Sequence, residues 1–214
     1  MFTGIVQELA PVVALERAPG LLRLQLGLSA ERRAGLVAGA SVAVNGACLT
    51  AARFDETGVG FDVIAETVER TNLGALTVGD RVNVERSATF ADEIGGHRVS
   101  GHVTGTAVVA DVRDSENNRT VRLRCDDGDW LRWVFYKGYI ALDGASLTVS
   151  ALDREARALE VSLIPETLAR TTFGFRSPGD HINVEVDSET QAVVETVERL
   201  FADPEWRSRV LAQR

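Results

Sequence analysis

Cysteine, histidine and methionine are scarce in this chain of 214 residues, which holds two Cys, three His and one Met. Cys48 and Cys125 cannot build a disulfide framework, and three histidines allow no zinc-ligand spacing, so no metal and a reducing, cytoplasmic setting are expected. Lys and Arg total 23 against 31 Asp and Glu, a formal net charge of −8. That balance, with no basic block, argues against nucleic acid or an anionic membrane as a partner. Long apolar runs are missing as well. Residues 34–52 carry no charge, but Gly35, Gly39, Ser41, Asn45, Gly46 and Thr50 interrupt them, and Asn45-Gly46 is a hairpin-turn pair, so no membrane span is expected. The first basic residue is Arg17, so the basic start of a secretion leader is lacking. There is no strand-linked G-x-G-x-x-G, no G-x-x-x-x-G-K-[ST], no G-x-S-x-G and no H-E-x-x-H, which removes most support for nucleotide, metal or elbow-serine chemistry.

What the chain does have is itself, twice. Thr3-Gly4-Ile5-Val6 returns as Ser100-Gly101-His102-Val103, and Cys48-Leu49-Thr50 as Ser146-Leu147-Thr148. Glu66-Thr67-x-x-Arg70-Thr71-x-x-Gly74 returns as Glu166-Thr167-x-x-Arg170-Thr171-x-x-Gly174, and Gly79-Asp80-x-x-Asn83-Val84-Glu85 as Gly179-Asp180-x-x-Asn183-Val184-Glu185. Four blocks in one order, with offsets drifting only from 97 to 100, mean duplication with small loop insertions. Each copy reads as β: runs at 42–44, 47–54, 59–65 and 82–85, then at 103–112, 120–124, 140–142, 146–152, 159–164 and 182–186. Asn45-Gly46 and Asp143-Gly144 are matching two-residue hairpin loops, which bring Cys48 and Ser146 to equivalent places. About six short strands per ~100 residues suggest a small closed barrel in each half. Short helical turns are expected after Ser29, at 66–72 and at 129–133. The expected division is barrel 1–97, barrel 98–187 and a helical segment 188–214. In that segment Ser188-x-x-Gln191 reads as a capping box and Val193, Val194, Val197, Leu200 and Phe201 share a helical face. Asp203-Pro204 restarts a second helix carrying Trp206, Val210 and Leu211. The apolar face needs a partner, either its own barrel or the same helix on other subunits.

The copies differ where chemistry would sit. His102 stands against Ile5, Ser146 against Cys48, Asp187 against Ser87, Lys137 against Gly39 and Asp143 against Asn45. Singly, each has a structural explanation: a satisfied histidine, a turn-bonding serine, a helix-start carboxylate, a solvated lysine. Together they form an inventory for proton transfer and charge stabilisation. Two similar, unequal pockets would suit two copies of one ligand.

The blocks Met1-Phe2-Thr3-Gly4-Ile5-Val6, Asn45-Gly46-x-Cys48-Leu49-Thr50, Asp92-Glu93-Ile94-Gly95-Gly96-His97, Ser100-Gly101-His102, Asp143-Gly144-x-Ser146-Leu147-Thr148 and Ile164-Pro165-Glu166-Thr167 resemble the riboflavin synthase family, the α-type lumazine-dismutating enzymes, from residue 1 to about 200. The resemblance implies an all-β chain of two tandem six-stranded antiparallel barrels plus a C-terminal helix that assembles a homotrimer. It implies dismutation of two molecules of 6,7-dimethyl-8-ribityllumazine to riboflavin and 5-amino-6-(D-ribitylamino)uracil, with no cofactor. Each active site would lie between the first barrel of one subunit and the second barrel of a neighbour. By position, the ligand-lining residues of the first barrel would be Gly4, Ile5, Val6, Ser41, Cys48, Leu49, Thr50, Asp62, Val63, Ile64, Ala65, Glu66 and Thr67, with Phe2 packing on a lumazine face. Those of the second would be Gly101, His102, Val103, Lys137, Ser146, Leu147, Thr148, Leu163, Ile164, Pro165, Glu166, Thr167 and Leu168. Ser146 and Thr148 would position or supply an oxygen nucleophile, His102 would act as acid or base, Asp187 would orient that network or take a proton, and Cys48 would support it. The competing readings are a lumazine- or flavin-holding antenna homologue that does not convert its ligand, and a flavin-domain remnant of a reductase. Association with lumazine synthase is not legible in the sequence.

Overall fold

The computed structural model describes residues 1–126 and 128–211, with the side chains of 209–211 outside the described set. The first copy supplies β1 (Glu8–Ala18), β2 (Leu21–Leu26), β3 (Ser41–Val44), β4 (Ala47–Phe54), β5 (Val59–Ile64) and β6 (Arg81–Arg86). The second supplies β7 (Gly105–Ser115), β8 (Asn118–Arg124), β9 (Tyr139–Leu142), β10 (Ala145–Asp153), β11 (Ala158–Leu163) and β12 (His181–Val186). Both sets close into antiparallel barrels of one topology, β1-β2-β5-β4-β3-β6 and β7-β8-β11-β10-β9-β12. The registers carry bulges in matching places, at Val12/Ala14 and Val109/Asp111, and again at Ala51/Arg53 and Val149/Ala151. A bulge adds local twist, which a six-stranded sheet needs in order to close on itself.

Alternation fills each barrel. Along β6 and β12, Val82 and Val84, then Ile182, Val184 and Val186, point into their own cores, which leaves Asn83, Glu85, Asn183 and Glu185 on the opposite face. That opposite face is also buried, because the barrels pack there. The two asparagines bridge the seam in a near-symmetric exchange. Asn83 Nδ2 donates to the Asp143 carbonyl at 2.8 Å and Oδ1 accepts from Thr172 N at 2.8 Å; Asn183 Nδ2 donates to the Asn45 carbonyl at 2.8 Å and Oδ1 accepts from Asn72 N at 2.7 Å. At the centre the two hairpin turns abut. Asn45 and Asp143 have φ of 43° and 45°, their glycines 79°, and a Cβ on Gly46 would lie 2.7 Å from Gly144 N. Only glycine tolerates both that backbone and that approach.

Asp143 belongs to this seam rather than to a reactive set. It is fully buried and paired with Arg176 at 2.6 Å; burial pushes its carboxyl above the usual range, and the guanidinium opposes the shift. Short helices α1 (Ala30–Arg33), α2 (Ala65–Arg70) and α3 (Pro165–Arg170) close the barrel ends, and 3-10 turns lie at Asn72–Ala75, Asp129–Trp133 and Thr172–Gly174. Beyond β12 run α4 (Ser188–Ala202) and α5 (Pro204–Leu211). The cap of α4 is Asp187, one residue before the expected Ser188: its carboxylate accepts from Thr190 N at 3.0 Å, and its charge is favourable at a helix start. Asp203 caps α5 as expected, through Glu205 N and Trp206 N. No residue of α4 is buried, and Val193, Val197 and Phe201 of its apolar stripe stand exposed. Val210 and Leu211, expected on the face of α5, have side chains outside the described residues. Among the described residues no helix is long and apolar enough to cross a membrane.

Candidate active site

The leading segment of each copy does not line its own barrel. Val6 packs in the core cluster of the second barrel, and Val103 packs against that of the first. The exchange produces two matched hollows. One, of about 210 Å³, is lined by Ala47, Cys48, Glu66, Thr67, Arg70 and Thr71 of the first barrel and by Gly101, His102 and Val103. The other, of about 180 Å³, is lined by Ala145, Ser146, Leu147, Glu166, Thr167, Arg170 and Thr171 of the second barrel and by Gly4, Ile5 and Val6. Other hollows of about 170 and 240 Å³ on the first barrel draw on that barrel alone. In both matched hollows the leading segment is tied to the barrel by a main-chain hydrogen bond: Ser146 N donates to the Gly4 carbonyl and Cys48 N to the Gly101 carbonyl, each at 2.8 Å. At each rim the first turn of a short helix offers a glutamate paired with the arginine one turn on, Glu66 with Arg70 and Glu166 with Arg170.

The expected set of Ser146, Thr148, His102 and Asp187, with Cys48 in support, is therefore divided. His102 lies beside Cys48 at the first barrel, whereas Ser146 lies at the second with a partner that the repeat did not reveal. Ser146 Oγ is 2.6 Å from His97 Nδ1. His97 is buried, its ring stacked on Tyr139 with centroids 5.2 Å apart. Burial holds this imidazole below its ordinary pKa, with the Asp187 charge opposing, so it is neutral at neutral pH and offers a ring nitrogen as an acceptor. The arrangement is that of a hydroxyl with an adjacent base and a carboxylate within electrostatic reach.

The remaining expected residues fall into four groups. Gly4, Ile5, Val6, Gly101, His102 and Val103 line hollows, but each trio serves the barrel opposite to the one expected. Leu49, Val63 and Leu163 are buried in barrel cores, Leu168 packs against the second core, and Phe2 is 1% exposed in the seam cluster beside Cys48 rather than presenting a free ring face. Asp62 is ion-paired with Arg53 at 2.8 Å on the outer wall, and Lys137, at φ 64°, holds its ammonium over the Tyr136 ring. Ser41 and Thr50 face each other across β3 and β4 beyond Cys48, Thr148 is exposed beyond Ser146, and Ile64, Ala65, Ile164 and Pro165 lead into the rim helices. The other cysteine, Cys125, is buried and its thiol is pushed up to about 12 by desolvation, so it is inert.

The doubled arrangement of the chain recurs among known proteins. The lumazine binding domain model matches twice, at residues 3–87 and 100–187. Riboflavin synthase of Escherichia coli (strain K12) is 48% identical over 202 residues, 94% of each chain. Those of Mycobacterium bovis and Chlamydia pneumoniae are 43% and 41% identical, covering 94% of this chain and 98% of theirs. In fold the chain is similar to LumP complexed with riboflavin, with a TM-score of 0.81, 22% identity and coverage of 88% of this chain and 100% of that one. It is also similar to LumP complexed with 6,7-dimethyl-8-(1'-D-ribityl) lumazine, at TM-score 0.79 and 22% identity over 87% and 99%.

Proposed function

The chain belongs to the riboflavin synthase family, and from that premise we propose how its two pockets share the family's reaction. It is a transferase that moves a four-carbon unit between two lumazines. Each matched hollow holds one 6,7-dimethyl-8-ribityllumazine; one gives up four carbons and leaves as 5-amino-6-(D-ribitylamino)uracil, and the other becomes riboflavin. A single observation supports this reading. The hollows are built from the same parts yet differ two residues after the hairpin glycine, a thiol in one and a hydroxyl bonded to a neutral imidazole in the other.

Ser146 and His97 handle the proton chemistry. The imidazole takes the hydroxyl proton as the oxygen, or a water that it holds, adds to the ring of the bound lumazine, and Asp187 stabilises the imidazolium that results. Cys48 and His102 serve the partner ring, and the Glu66 and Glu166 rims bind ribityl hydroxyls. Holding the two rings in register supplies about 7–11 kcal/mol of the barrier. The exposed stripe of Val193, Val197 and Phe201 is covered by the same helix of two other copies, in a homotrimer that brings a first-barrel hollow of one chain to a second-barrel hollow of the next. Both cysteines are free thiols, which fits a cytoplasmic setting. Incubation with the lumazine tests the reading: riboflavin and the uracil should accumulate in equal amounts. A shift in ligand fluorescence without riboflavin would make the chain a carrier instead.

A further inference from the structure

We propose that Glu85 and Glu185 are positioning residues that act crosswise, each fixing the segment that completes the ligand pocket of the barrel to which it does not belong. Both project from the last strand of their own barrel, on the face turned away from its core, and they are only 3% and 6% exposed. No ion pair among the described residues involves either one. Their oxygens are filled by main-chain and hydroxyl hydrogens instead. Glu85 accepts from Thr3 N at 2.6 Å, Thr3 Oγ1 at 2.7 Å and Gly4 N at 3.0 Å. Glu185 accepts from Ser100 N at 2.6 Å, Ser100 Oγ at 2.8 Å and Gly101 N at 2.9 Å.

A buried carboxylate is a costly way to fill space, and an apolar side chain would pack a seam as well. What a carboxylate does, and an apolar group does not, is aim amides. Gly4 and Gly101, at φ of 75° and 86°, turn the chain so that N–H faces the glutamate and C=O faces the opposite barrel. There the carbonyls receive Ser146 N and Cys48 N. The fit leaves no slack, since a Cβ on Gly4 would lie 2.6 Å from Ser146 Cβ and one on Gly101 2.5 Å from Cys48 Cβ. The next residues, Ile5 and Val6 or His102 and Val103, form part of the pocket lining. The line Glu85, Gly4, Ser146 thus runs from the first barrel into the second pocket, and the line Glu185, Gly101, Cys48 runs the other way.

The inference rests on the two-pocket reading, so its test separates the two. Glu85→Gln and Glu185→Gln keep the shape but set an NH2 group against an amide N–H. The readouts are riboflavin titration of each variant, and the rate of Cys48 alkylation by iodoacetamide across the same riboflavin concentrations. Loss of charge-assisted hydrogen bonds predicts about tenfold weaker binding at one site in each variant. Glu185→Gln should need about tenfold more riboflavin to protect Cys48, whereas Glu85→Gln should leave that midpoint unchanged and weaken the other site. A purely structural role would lower the melting temperature and weaken both sites alike; that pattern, or no change at either site, overturns the proposal. If the glutamine variants do not fold, Thr3→Val and Ser100→Ala each remove one hydroxyl donor and should show the same crossed pattern at about threefold. A wild-type chain that binds riboflavin at neither pocket defeats the two-pocket reading itself, and the inference falls with it.

Discussion

Replacing Ser146 with alanine removes one oxygen from a site whose backbone is held independently, because Ser146 N stays bonded to the Gly4 carbonyl. The rest of that pocket, Leu147, Glu166 and Thr167 included, is untouched. Ligand affinity should therefore change by no more than about threefold, the worth of one neutral hydrogen bond. Turnover should fall about 10²–10⁴-fold, the usual contribution of a positioned proton-transfer group. The variant also leaves His97 Nδ1, buried and 2.6 Å from the deleted oxygen, without that partner, at a cost of about 1–3 kcal/mol and a few degrees in melting temperature. His97→Ala should lower turnover to a similar degree. Since the two groups act as one unit, the double variant should be no slower than the slower single one. Steady-state kinetics on the three variants, with binding by fluorescence titration, measure all of this. Multiplied losses in the double variant, or equal losses in binding and turnover, would refute the pairing.

Three other outcomes follow. The folded-state pKa of His97 lies below its unfolded value, so the stabilisation tied to its neutral form is complete above about pH 6.5 and is lost as pH falls through the folded value; turnover should decline on the same acid limb, and melting curves of His97→Gln should lose that component. Arg176→Leu strands the buried Asp143 charge and should cost about 3–5 kcal/mol in denaturant titration, whereas adding Asp143→Asn recreates the first copy's Asn45 and Leu76 and should restore most of it; a double variant as unstable as the single would refute the ion-pair account. Deleting residues 189–214 should leave folded barrels of smaller assembly mass in light scattering, and an unchanged mass would remove α4 from the interface.

The barrels were readable because duplication displays every strand twice and the hairpin pairs Asn45-Gly46 and Asp143-Gly144 fix local geometry. β1 and β2 were not singled out: the alternation of β1 is broken by its bulge at Val12/Ala14 and punctuated by Pro11. The exchange of leading segments was invisible because Gly4–Val6 and Gly101–Val103 have the same pattern, and periodicity does not say which barrel a segment covers. His97 was noted as the end of a family block but given no role, because it lies in the stretch between the copies, where no repeat partner marks it, and its contact with Ser146 spans 49 residues. Asp143 counted in the polar inventory of the second copy and Asp62 among the ligand-lining residues, yet arginines at 176 and 53 occupy them in the structure. The arginines and glutamates of the repeated blocks were visible as repetition but not as parts of a site, since only long-range folding brings Arg70 and Arg170 to the pockets and Glu85 and Glu185 to the segments that complete them.

The most direct test is a crystal structure with riboflavin soaked to saturation, because it asks whether one chain builds two ligand pockets by exchanging its leading segments. The account predicts one flavin against Cys48 and His102 and a second against Ser146 and Ile5, each roofed by the other copy's segment. A single occupied pocket, or a flavin seated elsewhere on the barrels, would contradict it.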